Sequence, residues 1–141
     1  MNELNRIFEK YEFGKSQDVN SELINQVEQF IGFTLPPDYK FYLQNFEEFE
    51  GFIGSGYVAL WDLKSLLDNN TGYLIKEALP SFLGIGSNRG GELLTLEYLE
   101  ENAYRVALVP FIGMEKDVAI EIGISFTDFL VRLDNEQDWF S

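Results

Sequence analysis

Phe30-Ile31-Gly32-Phe33-Thr34-Leu35-Pro36-Pro37-Asp38-Tyr39-Lys40-Phe41-Tyr42-Leu43-Gln44-Asn45-Phe46 reads as the end of one helix, a tight joint and the start of a second helix. Upstream, Leu23, Ile24, Val27, Phe30 and Ile31 keep apolar side chains on one helical face. Gly32 can adopt the left-handed conformation that ends such a helix. Pro36 pushes Leu35 out of the helical region, and Pro37 suits a first helical position, where its missing N–H costs nothing. Tyr39, Tyr42, Leu43 and Phe46 then resume the one-face spacing. A helical hairpin that does no more than pack on a core would read the same way.

Working outward, Leu4, Ile7, Phe8 and Tyr11 predict a short amphipathic helix at the start of the chain. Asn20 or Ser21 can cap the helix that leads into the joint, with Glu22 in its first turn. After the joint, residues 47–56 carry three acids, two aromatics and three glycines, and are expected to form a loop. Tyr57–Trp61 reads as a strand, and Asp62 as the cap of a short helix through Leu63, Leu66 and Leu67. Asp68–Gly72 has turn composition, and Tyr73–Leu79 a weak helical pattern stopped by Pro80.

Phe82–Ser87 and Glu92–Leu96 read as a hairpin around Asn88-Arg89-Gly90-Gly91, a turn that needs positive φ. Residues 97–102 are expected to be an acidic connection to a further strand at Tyr104–Val109, and Asp117–Ile122 a short last one. Ser125-Phe126-Thr127-Asp128 has the form of a capped helix start, followed by one apolar face through Phe129, Leu130 and Leu133. Helices at both ends and hairpin-linked strands between them predict an α+β fold with a mostly antiparallel sheet, in one domain over residues 1–141.

Composition narrows the function classes. The 141 residues include 13 Phe and 45% apolar side chains, a core-forming mixture. No run of 18 apolar residues is present, so no membrane span is expected, and the acidic balance speaks against an anionic membrane as partner; the acid-bearing opening residues do not read as a signal peptide. The absence of cysteine fits a cytoplasmic protein, although many exported proteins lack cysteine too.

With neither His nor Cys, the chain lacks the usual neutral-pH base, the usual nucleophile pairs and ordinary zinc ligands. Gly84–Gly91 is a poor dinucleotide loop, because Arg89 stands where a glycine is needed and a strand follows. Asp134, Glu136 and Asp138 alternate like the start of a calcium loop, but the chain ends before a twelfth position. No cofactor and no catalytic residue is therefore assigned.

The charge is lopsided, with 24 acids against 10 bases and a net charge of −14. Such a surface repels nucleic acid and steers basic proteins toward it, although acidity also serves plain solubility. From Glu92 to Ser141 there are 11 acids against three bases, so a one-sided field is expected if that half shares a face.

Four segments in order resemble the SMI1/KNR4 family of the SUKH superfamily. Glu28–Leu43 is similar to its E-x-x-I-G-F-x-L-P-P-D-Y-x-x-Y-L signature, and Tyr57–Leu63 to its strand, Trp and leucine turn. Leu79–Gly91 is similar to P-x-F-x-x-I-G-S-[DN]-G-G, with Arg89 interposed, and Ile124–Leu130 to the closing S-F-x-x-F-L helix. The family's N-G-G after the second helix is replaced by Asn45-Phe46-Glu47-Glu48. The match spans roughly Ser21 to Leu133.

The resemblance implies an α+β domain without enzymatic activity. Bacterial members are immunity proteins that neutralise polymorphic toxins, often nucleases. Fungal members regulate cell-wall glucan synthesis. On that reading the partner is a basic toxin domain, met by Glu47, Glu48 and Glu50 and by Glu97, Glu100 and Glu101, with Phe49 and Phe52 as aromatic anchors. The alternatives are a regulatory scaffold, a small-molecule sensor lined by Trp61, Phe82 and Tyr57, or solvated acids over ordinary packing. Oligomeric state is left open.

Overall fold

Alternation of inward and outward side chains builds a sheet whose six strands follow chain order. The computed structural model describes residues 2–16, 21–100 and 103–137. The strands are β1 (Phe49–Ile53), β2 (Gly56–Leu60), β3 (Phe82–Ser87), β4 (Glu92–Glu100), β5 (Ala103–Pro110) and β6 (Ile120–Gly123). Each pairs antiparallel with the next, in the order β1-β2-β3-β4-β5-β6. The helices are α1 (Asn2–Lys10), α2 (Ser21–Ile31), α3 (Pro37–Asn45), α4 (Leu63–Gly72), α5 (Ile75–Ala78) and α6 (Phe126–Asp134). The result is a single α+β domain.

The inner face of the sheet carries Ile53, Val58, Leu60, Leu83, Ile85, Leu94, Leu96, Val106 and Leu108 against α1, α2, α3, α4 and α6. Phe8, Phe13, Tyr39, Tyr42 and Phe126 fill this main core, and burying each such ring is worth roughly 2–3 kcal/mol. On the outer face, a smaller cluster of Phe82, Leu93, Ala107 and Val109 is covered by Ile75 of α5, by Leu79 just after that helix, and by Phe111 and Met114.

The helical joint forms as its sequence dictates. Gly32 takes φ +83° and its N–H donates to the Glu28 carbonyl at 2.9 Å, closing α2. Pro36 is extended, and Pro37 opens α3. The polar residues of the signature hold the joint itself. Glu28 Oε2 accepts from Leu35 N–H at 2.8 Å and meets Lys40 Nζ at 3.2 Å. Asp38 Oδ2 accepts from the N–H and hydroxyl of Thr127 at 2.9 and 2.8 Å, tying α3 to the start of α6. Asp62 and Ser125 cap α4 and α6 as their spacing predicts.

Three sequence expectations are corrected. The stretch from Phe49 to Ile53 is strand β1, not loop. Phe49 and Ile53 face inward with Gly51 between them, Glu50 and Phe52 face outward, and Gly54-Ser55 makes a two-residue turn. Residues 68–72 continue α4, because the Asn70 side chain is bonded into the sheet rather than spent on a local turn. Glu97 to Glu100 belong to β4, which is long because β5 pairs with it almost to the tip.

Candidate functional site

At the β1–β2 end the outer face is not covered by a helix. Register places Phe52 beside Tyr57, and Glu50 in a lateral row with Ala59, Ser87, Leu93 and Val109. Phe52 is 62% exposed and meets the Tyr57 ring edge-on at 5.0 Å. Glu50 is gripped by Arg89 from the β3–β4 turn, with Nε–Oε2 at 3.1 Å and a terminal nitrogen on Oε1 at 2.8 Å. The Tyr57 hydroxyl donates to the same carboxylate at 2.7 Å. The Arg89 hydrogen bonds, then that of Tyr57, hold Glu50 below its ordinary carboxylate pKa.

Arg89 adopts φ +61°, a left-handed conformation that strains a side-chain-bearing residue. Asn88 offsets this, its Oδ1 accepting from Gly90 N–H at 2.8 Å. Beyond Arg89 the apolar surface continues. Tyr73, half exposed, stacks on Trp61 at 6.0 Å and tilts onto Phe111 at 4.9 Å. Leu74 is 61% exposed and Ile112, on the loop after β5, is 93% exposed. The exposed acids Glu115 and Asp117 follow on that same loop. The strip is therefore aromatic and apolar, crossed by one Glu–Arg pair and flanked by carboxylates. Exposed apolar surface of this kind, with Tyr, Trp and Arg in it, marks protein-binding sites more often than bare charge does.

The residues singled out from sequence fall into four settings. Glu50 and Phe52 lie in the strip. Glu47 and Glu48 are exposed just before β1, and the Glu47 N–H is tied to the Gly14 carbonyl at 2.8 Å. Phe49 is half-buried and stacks flat on Phe13 at 4.2 Å, so it is a packing residue and not an exposed anchor. Glu97 is corrected too, from exposed contact to buried acid: it is 1% exposed on the outer face of β4, with Arg105 Nε on Oε1 and Lys116 Nζ 3.6 Å from Oε2. Glu100 is exposed at the end of β4. Glu101 lies outside the described residues.

The two acid groups do not meet. Glu97 lies four residues along β4 from the row that contains Glu50 and three strands across, about 20 Å away. The C-terminal acids are also dispersed: Glu97 is buried, and Asp134 is bound by Lys10 and Arg6 of α1 at 2.7 and 3.1 Å. These two, among the described acids of that half, are withdrawn from any shared acidic face.

Trp61 packs against the outer cluster that buries Phe82, whereas Tyr57 lies apart from both. Trp61 stacks on Tyr73, Phe82 is buried in the outer cluster, and Tyr57 packs on Phe52. Sequence reading passed over Tyr73, Leu74, Phe111, Ile112 and the role of Arg89. The available signal was the pair Phe111-Ile112, apolar residues stranded between Pro110 and Gly113.

Among the described residues no three His, Cys, Asp or Glu side chains are grouped to hold a metal ion, and no helix is long and apolar enough to cross a membrane.

Fold and surface together define a binding-type α+β domain, with an apolar, acid-flanked strip at one end of a six-stranded meander. The model of the SMI1 / KNR4 family (SUKH-1) matches residues 18–132, and the chain belongs to that family. Membership carries an immunity-protein-like or other protein-binding role at the level of the family. No curated protein matches the chain by sequence.

Proposed function

We propose that this chain is a non-enzymatic immunity-type protein that neutralises a basic toxin domain by covering it. The observation that carries the reading is the exposed strip from Phe52 and Tyr57 through Glu50–Arg89 to Tyr73 and Ile112. Apolar anchors at its centre supply short-range affinity, and the net charge of −14 steers a cationic partner toward them. Glu47 and Glu48 extend the acidic rim at the β1 side, while Glu100 at the far hairpin tip contributes only to the long-range field. A nuclease fits as the partner, because a phosphate-binding cleft is positively charged.

A regulatory scaffold would use the same kind of surface without neutralising anything. Co-expression separates the two. The toxin gene neighbouring this one should kill its host alone and be harmless with the wild-type chain. Killing that persists at full expression of the folded protein rejects the immunity reading.

A further inference from the structure

The sheet ends in two edge strands, β1 and β6, and only β6 is guarded. β6 is four residues long, and its pairing with β5 is interrupted by a register shift between Val106 and Ala107. The start of α6 closes its end, where a Cβ on Gly123 would stand 2.7 Å from Phe129. β1 has none of the devices that blunt an edge. It runs five residues in unbroken register with β2, with no proline, lysine or bulge. Its one charged side chain, Glu50, is taken up by Arg89 and the Tyr57 hydroxyl.

Register fixes which main-chain groups of β1 face outward. The Gly54-Ser55 turn makes Ile53 and Gly56 a hydrogen-bonded pair, and bonded pairs then alternate along the hairpin: Gly51 with Val58, and Phe49 with Leu60. Trp61 agrees, since its N–H is turned the other way and donates to the Ile85 carbonyl of β3 at 2.9 Å. The N–H and C=O of Glu50 and Phe52 therefore point away from β2, off the sheet. Among the described residues no hydrogen bond reaches these main-chain groups. Both residues are exposed, so the groups meet water. Donors and acceptors repeating every second residue are matched by another extended strand.

We infer that β1 pairs with β1 of a second copy of this chain, antiparallel and about a two-fold axis at Gly51. In that register Glu50 bonds with Phe52 of the second copy, and Phe52 with its Glu50. Every outward main-chain group of these two residues is then used, each bonded pair exchanging two hydrogen bonds. Gly51 meets Gly51 at a non-bonded position, where the chains approach to about 4.5 Å and no side chain stands between them. The neighbouring registers are worse. One centred on Glu50 sets the two Glu50 carboxylates directly opposite each other. One centred on Phe52 puts Glu50 opposite Gly54, whose N–H is already taken by the Tyr11 hydroxyl. In the Gly51 register no acid faces an acid, since Glu48 falls opposite Gly54 and Glu47 opposite Ser55. Side chains keep their faces when an edge is paired, so Glu50 and Phe52 stay outward and the two strips join into one surface across the axis. The net charge of −14 on each copy opposes association, so the dimer is weak and salt strengthens it. A basic partner on the strip has the opposite salt dependence. The inference goes beyond the proposed function and does not rest on it.

The test uses the whole chain with no partner added. Sedimentation equilibrium from roughly 1 µM to 1 mM should show a monomer–dimer equilibrium that tightens with added salt. Backbone amide exchange, followed by NMR, reads the edge directly. The Glu50 and Phe52 amides should exchange fast in dilute samples and slow severalfold as the dimer forms, while those of Gly51 and Ile53, bonded to β2, stay slow throughout. Phe52→Pro removes an outward N–H, a change that edge strands tolerate, and should give a folded monomer. Phe52→Ala keeps that N–H and should still dimerise. Should the proline variant fail to fold, the wild-type exchange decides alone. A chain that stays monomeric at the highest concentration and in high salt, or a dimer whose Glu50 and Phe52 amides exchange unchanged, overturns the inference. So does protection that appears only when a toxin domain is bound, which would give the edge to that partner's strand. Toxin neutralisation bears on the strip alone: its loss leaves the dimer standing, and absence of the dimer leaves the strip reading standing.

Discussion

The side-chain amide of Asn70 takes both backbone hydrogen-bonding groups of Gly84: its nitrogen donates to the carbonyl at 2.9 Å, and its oxygen accepts from the N–H at 2.8 Å. It does what a neighbouring strand would do. β2 pairs with β3 at Ala59–Ser87 and Leu60–Gly86, and the Trp61 N–H still donates to the Ile85 carbonyl at 2.9 Å; past that bond the edge of β3 at Gly84 would be buried and unpaired. Asn70 also donates to Leu66 O at 2.8 Å, so one buried side chain fixes α4 to the sheet. Asn70→Ala strands the N–H and C=O of Gly84 and should cost about 2–4 kcal/mol. Chemical denaturation measures it; a loss under 1 kcal/mol, on the order of one ordinary hydrogen bond, would refute this role.

Glu97 and Arg105 make a second buried dependence. Arg105→Leu leaves a carboxylate that is 1% exposed with only Lys116 at 3.6 Å, and should destabilise the fold by about 3 kcal/mol. Replacing both residues with leucine removes the charge along with its partner. The double variant should regain most of that loss, and a double-mutant cycle with no coupling would contradict the assignment.

Asp134 sets part of the acid limb of stability. Hydrogen bonds from Lys10, then Tyr11, then Arg6 hold its carboxyl down from 3.8 to about 2. Tyr11 also accepts from Gly54 N–H at 3.0 Å, so the cluster joins α1, α6 and the β1–β2 turn. The unfolded chain takes up this proton first, so the contribution is complete above the ordinary pKa and is lost as pH falls from 3.8 toward about 2. Asp134→Asn should cost about 1–2 kcal/mol at neutral pH and flatten the acid limb. A limb of unchanged steepness speaks against the cluster.

Arg89 is held in a strained conformation at φ +61°. Glycine there removes about 1 kcal/mol of backbone strain, which offsets the loss of a solvent-exposed ion pair. Arg89→Gly should therefore leave thermal stability equal or slightly raised while weakening partner binding, since the Glu50 carboxylate is then free to move. Lost stability with unchanged binding would make Arg89 a structural residue.

Much of this fold could be read from residue spacing, because local rules and tertiary contacts agree along most of the chain. The α2–α3 joint, the Asp62 and Ser125 caps and the β3–β4 hairpin all satisfy both. Disagreement produced the misreadings. Gly51 occupies an inward position of β1 and hid its alternation, and Asn70 looks like a turn residue until Gly84 is beside it. Glu97 reads as exposed because a lone glutamate normally is, and the arginine that permits its burial lies eight residues away on β5. The strip was the least visible, since Phe52, Tyr73 and Ile112 come from three separate segments that only the topology assembles. Glu50 and Phe52 stand out by composition and Phe111-Ile112 by its place between Pro110 and Gly113, but only the fold brings them to one face.

The central claim is that the exposed strip makes the contact with a basic partner. The direct measurement is the dissociation constant of the complex with the toxin domain proposed as partner, for the wild-type chain and for Ile112→Lys. Ile112 is 93% exposed, so the substitution leaves the core untouched while placing a like charge against the partner. The account predicts binding weakened by about tenfold or more with an unchanged unfolding midpoint. An Ile112→Lys chain that binds as tightly as the wild type would contradict it.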